Sequence, residues 1–346
     1  MKWNKNSDIL ALQVGHGRSL DGTWDCGCSY GQYTEAGLML PIVQAAVKLL
    51  RKSGVKVITD ADDANNRNMK SSVAWANNRK AKIYISVHCD WSGSSSGIYP
   101  QVKTSADKAL GAALGKKVAK LLDMKYKGCA TRNDLYELNA PTAQACCVYE
   151  CGSIKADLAK LKQGKAYGRA LAKAICAYIG VDVYVSTRTK IKRKTAEILA
   201  YMNKHNFKYN KSYKACGTSW KQAKKTKRSN CATMICYALQ ELGLLQPGQI
   251  FWINGTAIKC VGSGTKARIK KTFTIKHPKK SPKTAGLKAG YIVGYKDNPH
   301  TQEFVKWNKD KKPLWYSWGP SDVGKKQPRH KKSYDSKKIM TVLIPK

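Results

Sequence analysis

The sequence predicts an α/β unit, a mixed sheet covered by helices, followed by a second unit of α+β type. Three observations lead there. Over residues 1–180, short apolar runs alternate with segments of helical apolar spacing, the pattern of a sheet with helices packed on it. The chain has 346 residues, which suits two domains better than one core. The charge is uneven: residues 190–346 hold 36 Lys and Arg against 7 Asp and Glu, which is +29 of a net +41. The expected divisions are a first domain at 1–185, a basic linker at 186–194 (Ser-Thr-Arg-Thr-Lys-Ile-Lys-Arg-Lys) and a second domain at 195–346.

In order, the first domain opens with Ile9–Gly17, Ile-Leu-Ala-Leu-Gln-Val-Gly-His-Gly, an apolar strand that ends at His16 between two glycines. Glycine lets the backbone turn sharply there and keeps bulk from the ring. A polar loop leads to Thr34-Glu35. Leu40–Ser53 has helical spacing, with Pro41 in the first turn, where proline is tolerated. Gly54 stops it, and Val55–Thr59 is a short strand. Asn68–Asn78 reads as a helix and Ile83–His88 as a buried strand ending in a second histidine. Asp107–Leu122 is a helix, Ala145–Glu150 a strand ending in a glutamate, and Lys160–Ile179 a long helix.

Three strand ends thus deliver His16, His88 and Glu150, and the approach to a helix delivers Glu35. Open α/β sheets bind ligands at the carboxyl ends of their strands. A lone histidine at a strand end is more often structural, and a lone glutamate is usually solvated. Two His and two Glu aimed at one sheet edge are the inventory of a catalytic zinc site. Such a site takes two imidazoles and a carboxylate as ligands, an open position for water, and a second carboxylate for proton transfer.

The same residues carry a resemblance. Val-Gly-His-Gly, Thr-Glu-Ala-Gly-Leu, Ile-Ser-Val-His-Cys-Asp and Val-Tyr-Glu-Cys-Gly occur in order over about residues 8–180. They resemble the four blocks of the zinc-dependent N-acetylmuramoyl-L-alanine amidases. The resemblance implies that His16, Glu35 and His88 hold Zn2+ and that Glu150 is the catalytic glutamate. It implies hydrolysis of the amide between muramic acid and L-alanine in bacterial peptidoglycan. Arg132, in Thr-Arg-Asn-Asp-Leu, is either a substrate contact or half of a structural salt bridge. The surroundings are rich in cysteine (Cys89, Cys146, Cys147, Cys151), and a thiol beside zinc competes as a ligand. Cys26, Cys28, Cys146, Cys147 and Cys151 are candidates for a second metal site, although they lack the Cys-x-x-Cys spacing of structural zinc sites.

In the second half, Thr195–Asn206 reads as an amphipathic helix. Cys231–Leu242 has helical spacing and ends at Gly243, which places Cys231 in a first turn, where the helix dipole favours a thiolate. A buried core cysteine is the commoner fate of the type, and Cys236 reads that way. Tyr291–Tyr295 is an apolar strand. His300 heads Thr301–Trp307, Lys309-Asp310 turns the chain, and Leu314–Trp318 returns. A cysteine opening a helix and a later histidine heading a strand resemble the NlpC-type papain-like cell-wall peptidases. That family implies Cys231 as nucleophile, His300 as base and Ser317 in the place of the third residue. Asn230-Cys231 stands where Asp-Cys is usual, and Tyr291 where Asp is usual. Arg268–Lys283, with His277, is expected to be a basic surface loop.

Two readings follow. One is a two-headed cell-wall hydrolase, a zinc amidase joined to a cysteine endopeptidase acting on the stem peptide. The other is an amidase joined to a catalytically inactive, basic wall-binding domain. The charge suits an anionic wall polymer as a further partner. No nucleic-acid reader motif accompanies it, so a specific nucleic-acid partner is not expected, and no apolar run reaches the length of a membrane helix. No signal peptide is expected from the start of the chain. The expectation is a phage endolysin held in the host cytoplasm until release to the wall. A phage-tail lysin, an autolysin and non-classical secretion are the alternatives. Twelve cysteines in such a chain are read as reduced thiols.

Overall fold

The computed structural model describes residues 1–62, 66–295, 298–335 and 337–346. They form two compact units, Met1–Tyr184 and Val185–Lys346. Among the described residues, no helix is long and apolar enough to cross a membrane.

The first unit begins with β1 (Ile9–Val14), α1 (Glu35–Lys52), β2 (Lys56–Ile58), α2 (Met69–Asn78) and β3 (Ile83–Asp90). It continues with β4 (Gln101–Val102), α3 (Ser105–Leu122), β5 (Ala130–Thr131), the single turn α4 (Tyr136–Asn139), β6 (Ala145–Ser153) and α5 (Gly164–Tyr178). The strand order is β2-β1-β3-β6-β4-β5. β1 runs parallel to β2 and β3, β6 parallel to β3, and β4 antiparallel to β6, so the sheet is mixed.

Alternation along the strands sorts the side chains onto two faces. Leu10, Leu12, Val14, Ile83, Ile85, Val87, Cys147 and Tyr149 enter one core, beneath α1, α3 and α5. Each fully buried Leu or Ile there contributes about 1.5–3 kcal/mol. Ala11, Tyr84, Cys146 and Val148 enter a second core with Val73 and Ala76 of α2 and Leu138 of α4. The same period puts Ser86, His88 and Glu150 on the α2/α4 side, and the register pairs Glu150 with His88 across β6 and β3.

Two helices differ from expectation. α1 starts at Glu35 rather than Leu40, because Thr34 caps it, its Oγ1 accepting the Gly37 N–H at 3.3 Å. Pro41 lies inside the helix. Burial of Ala36, Leu38 and Met39 offsets the backbone bond that proline removes. The long helix expected at Lys160–Ile179 is broken into a turn at Leu158–Leu161 and α5.

The second unit contains α6 (Thr187–Lys204), α7 (Cys231–Glu241) and a hairpin of β7 (Ile250–Asn254) and β8 (Ala257–Val261). Then come α8 (Thr265–Thr272), β9 (Phe273–Lys276), β10 (Ile292–Tyr295), β11 (Asn298–Trp307), β12 (Pro313–Tyr316), β13 (Arg329–His330) and β14 (Ile339–Pro345). The last six strands form an antiparallel sheet in the order β9-β14-β10-β11-β12-β13. Its core joins Ile191, Ile198 and Leu199 of α6 to Met234, Ile235 and Leu239 of α7 and to Ile292 and Leu343 of the sheet.

Two basic segments are not the loops the sequence suggests. Ser186–Lys194 is not a linker: Ser186 caps α6, its Oγ accepting the Thr189 N–H at 3.3 Å, and Ile191 is fully buried. Arg268–Lys283 is not one loop, because it supplies most of α8 and all of β9, an edge strand paired with β14. Ile269 and Phe273 anchor it, and His277 Nδ1 lies 3.1 Å from Thr341 Oγ1. Lysine stems lie along apolar surface with their charges in water, so a basic composition does not forbid a packed element.

Candidate functional site

His16 follows β1 in the left-handed region (φ 59°), a conformation uncommon for a residue with a side chain. Glu35 opens α1 with its carboxylate at the positive end of the helix. His88 ends the apolar stretch of β3. One donor atom from each of the three lies within 4.8 Å of the others. Glu35 Oε1 is 2.9 Å from His88 Nδ1, and Glu35 Oε2 is 3.4 Å from His16 Nε2. Glycines make the approach possible: a Cβ at Gly27 would fall 2.6 Å from both Glu35 Oε2 and His16 Cδ2.

The nitrogens turned away from the cluster are held as well. His16 Nδ1 is 2.7 Å from Asp25 Oδ2. His88 Nε2 is 2.9 Å from Ser86 Oγ and 3.4 Å from Glu137 Oε2, and Glu137 Oε1 accepts the Tyr84 hydroxyl. Glu35 accepts the backbone N–H of Cys28 and of Cys89, one on each oxygen. Two imidazoles and a carboxylate, each ring fixed on its far side by an outer acceptor, are the donor set that zinc takes. The residues present fit that ion.

Electrostatics are set by burial and by close pairing. Burial works against ionisation of Glu35, but the hydrogen bond and charge of His88 outweigh it and hold the carboxyl below its ordinary value. Burial also opposes the His88 imidazolium, and the bonds to Glu137 and Glu35 overcome it, so the ring is held well above 6.5. Glu150 is pushed up to about 8 by burial, against the pull of the His88 charge. Its Oε2 is buried with no hydrogen-bond partner.

The structure brings together His16, Glu35, His88 and Glu150. Arg132 is paired with Asp134 through two hydrogen bonds of 2.8 and 2.6 Å. The cysteine set Cys26, Cys28, Cys146, Cys147 and Cys151 is not gathered into a site. Cys146 and Cys147 face opposite cores, Cys151 is in the α1 core, and the Cys26 thiol turns to the Gly27 carbonyl. Cys28 instead meets Cys89 and Glu35. Sequence reasoning missed Asp25, Ser86 and Glu137. Only Ser86 carried a signal, two residues before His88 and so on the same strand face.

In the second unit Cys231 is the first residue of α7. Asn230 caps the helix: its Oδ1 accepts the N–H of Ala232 and Thr233, and its Nδ2 donates to the carbonyls of Asn210 and Lys211. An aspartate at this position has no proton for the second pair of bonds. Burial raises the Cys231 thiol, against N–H donation from Thr301 and Ala232. His300, on β11, is pushed down to about 3 by burial and by the charge of Lys331. Its Nε2 is 3.0 Å from Ser317 Oγ and 2.9 Å from Gln302 Nε2. Ser317 donates to Asp322 Oδ2 at 2.8 Å, and Lys331 donates to the same oxygen at 2.8 Å. Cys231 and His300 line one cavity of about 620 Å³ with Tyr213, Trp252, Lys331 and Tyr334. Gln302, Asp322 and Lys331 were not foreseen.

Comparison with known proteins bears on the first unit. Residues 10–181 match the N-acetylmuramoyl-L-alanine amidase family. A search of the curated proteins returns no match. Among solved structures, the catalytic domain of CwlV, an N-acetylmuramoyl-L-alanine amidase from Bacillus (Paenibacillus) polymyxa var. colistinus, is 22% identical. The alignment covers 51% of this chain and 99% of that one, with a TM-score of 0.44. The amidase AmiC2 of Nostoc punctiforme is 19% identical, covering 50% and 98%, with a TM-score of 0.45. An N-acetylmuramoyl-L-alanine amidase from Clostridium difficile 630 is 20% identical, covering 51% and 98%, with a TM-score of 0.44. The match to the N-acetylmuramoyl-L-alanine amidase family thus covers residues 10–181, which lie within the first unit.

Proposed function

We propose that the first unit hydrolyses the amide between N-acetylmuramic acid and L-alanine in peptidoglycan, as a zinc enzyme. The observation that carries this reading is the convergence of His16, Glu35 and His88 donor atoms within 4.8 Å, with Glu150 paired to His88 on the adjoining strand. His16 Nε2, a Glu35 oxygen and His88 Nδ1 would hold the ion. When bound, zinc supplies a Lewis acid that lowers the pKa of a water toward ~7 and polarises the scissile carbonyl. Glu150 takes the water proton and passes it to the nitrogen of the leaving L-alanine, so one carboxyl serves as base and then acid. Asp25, Ser86 and Glu137 keep the two imidazoles oriented.

A second reading applies to the second unit. The shared cavity of Cys231 and His300, with the histidine braced through Ser317 to Asp322, supports a papain-like cysteine endopeptidase acting on the stem peptide. The burial of both groups keeps the resting pair as neutral thiol and imidazole. His300 would take the thiol proton as Cys231 attacks the peptide carbonyl and would give it to the amine that leaves as the C–N bond breaks; water would then hydrolyse the thioester. The competing proposal is an inactive wall-binding unit that uses its positive charge on anionic wall polymers.

Mass spectrometry of purified peptidoglycan digested by the wild type, His88→Ala and Cys231→Ala tests both. Intact stem peptides released by wild type and lost in His88→Ala support the amidase. Cleaved stem peptides lost only in Cys231→Ala support the peptidase, and identical fragments from wild type and Cys231→Ala support the wall-binding unit. No fragments from zinc-loaded wild type would refute the amidase reading.

A further inference from the structure

Beside the histidine cluster lies a second set of donors, two of which, Cys28 and Cys89, the amidase reading does not use. The sulfurs of Cys28 and Cys89 and a carboxylate oxygen of Glu35 lie within 4.8 Å of one another. They come from three places: the loop before α1, the first residue of α1 and the end of β3. Backbone bonds fix the arrangement. The N–H of Cys28 donates to Glu35 Oε2 at 3.1 Å, and the N–H of Cys89 to Oε1 at 3.0 Å. The Cys28 thiol also reaches the Cys89 carbonyl at 3.4 Å. Glu35 and Cys89 are buried, while Cys28 is half-buried, so the set opens to solvent on the Cys28 side. Two sulfurs and a carboxylate on one point form a donor set for a soft or borderline cation rather than for magnesium or calcium.

We infer that Cys28, Cys89 and Glu35 form a second cation site, for a thiophilic divalent ion such as zinc or cadmium, which shares Glu35 with the histidine set. On binding, two S–H bonds break, two metal–sulfur bonds form and two protons pass to solvent. The two thiolates supply the negative charge that a shared Glu35 cannot give to two ions. Because the carboxylate serves both sets, an ion in the thiol site weakens binding at the histidine site, and linkage makes the effect reciprocal. Excess zinc or cadmium therefore inhibits the amidase. The site itself stands whether or not the histidine set holds the catalytic ion; the inhibition rests on that reading.

The test uses the full chain, stripped of metal and kept reduced with a phosphine. It is titrated with cadmium and with cobalt(II), and bound equivalents and sulfur-to-metal absorption are read together. The wild type is expected to show thiolate absorption, and Cys28→Ser to lose affinity at that site by more than about tenfold, the least that even an outer partner costs. His88→Ala is expected to lose a different equivalent and keep the absorption, which separates failure of the amidase reading from failure of this one. A measurement on the wild type guards against a variant that misfolds. Cadmium should protect Cys28 from iodoacetamide while Cys26, whose thiol turns to the Gly27 carbonyl, stays reactive. Wild type without thiolate absorption, absorption that survives in Cys28→Ser, or equal protection of Cys26 and Cys28 would each overturn the inference.

Discussion

A methyl group at Gly15 tests the placement of His88. A Cβ there would lie 2.4 Å from His88 Nδ1 and Cε1 and 2.6 Å from Nε2. Ordinary contact between carbon atoms is about 3.5–4.0 Å, so in Gly15→Ala the ring must withdraw by about 1 Å. On its far side it meets Ser86 and Glu137. The Gly15 backbone lies outside the left-handed region, so alanine adds bulk without a conformational penalty. Metal–ligand distances tolerate about 0.2 Å. Zinc affinity should therefore fall by at least the ~10–100-fold that loss of an outer-shell partner causes, with amidase activity falling in step. Overpacking should cost only about 1–3 kcal/mol of stability. Zinc affinity is read by competition with a chelator, and folding by circular dichroism. A folded Gly15→Ala that binds zinc within about threefold of wild type would refute His88 as a ligand, since a tenfold loss is the expected minimum.

Three further outcomes are expected. In Gly168→Ala, the new Cβ would meet the Ile42 carbonyl oxygen at 2.1 Å. α1 and α5 must then part, at a cost of about 1–3 kcal/mol, and an unchanged melting transition would contradict that packing. Burial pushes Glu303 up to about 8 from 4.5, against pulls from Thr195 and Lys192. Its folded form holds a proton that the unfolded chain has lost, so its stabilising share is complete below about pH 4.5 and is lost as pH rises to about 8, on the order of 5 kcal/mol at most. Urea denaturation should show Glu303→Gln gaining on wild type between pH 5 and 8.5, and parallel pH profiles would count against it. Asp322→Asn leaves Lys331 half-paired in a buried setting and should destabilise the second unit by about 3–5 kcal/mol; denaturation at pH 7 showing under about 1 kcal/mol would contradict the buried pair.

The parts of the site that were legible in the sequence are those set by local period. Apolar runs ending at His16, His88 and Glu150 mark strands, and alternation along β3 and β6 already puts His88 and Glu150 on comparable faces. The braces were not legible, because they come from distant segments. Nothing in Trp24-Asp25 or Tyr136-Glu137 says which ring each acid will meet, and that depends on the polar loop folding back and on α4 covering the sheet. The start of α1 is not legible because Pro41 reads as a first-turn residue, while Thr34 and the apolar face of Ala36, Leu38 and Met39 set the true start. The basic segments misled for a different reason. Ile191, Ile269 and Phe273 are single anchors in lysine-rich surroundings, and composition hides them. The grouping of the cysteines depends on strand alternation and on the approach of the Cys28 loop to β3.

The most direct measurement is hydrolysis of purified peptidoglycan by the zinc-loaded chain in 18O-labelled water, with the new amino termini counted as the wall clears. The prediction is one new N-terminal L-alanine for each 18O atom found in the lactyl carboxylate of muramic acid, with both signals lost in Glu150→Gln. Clearing of the wall with no new N-terminal L-alanine, or with the label confined to residues inside the stem peptide, would contradict the assignment of the His16–Glu35–His88 site to this reaction.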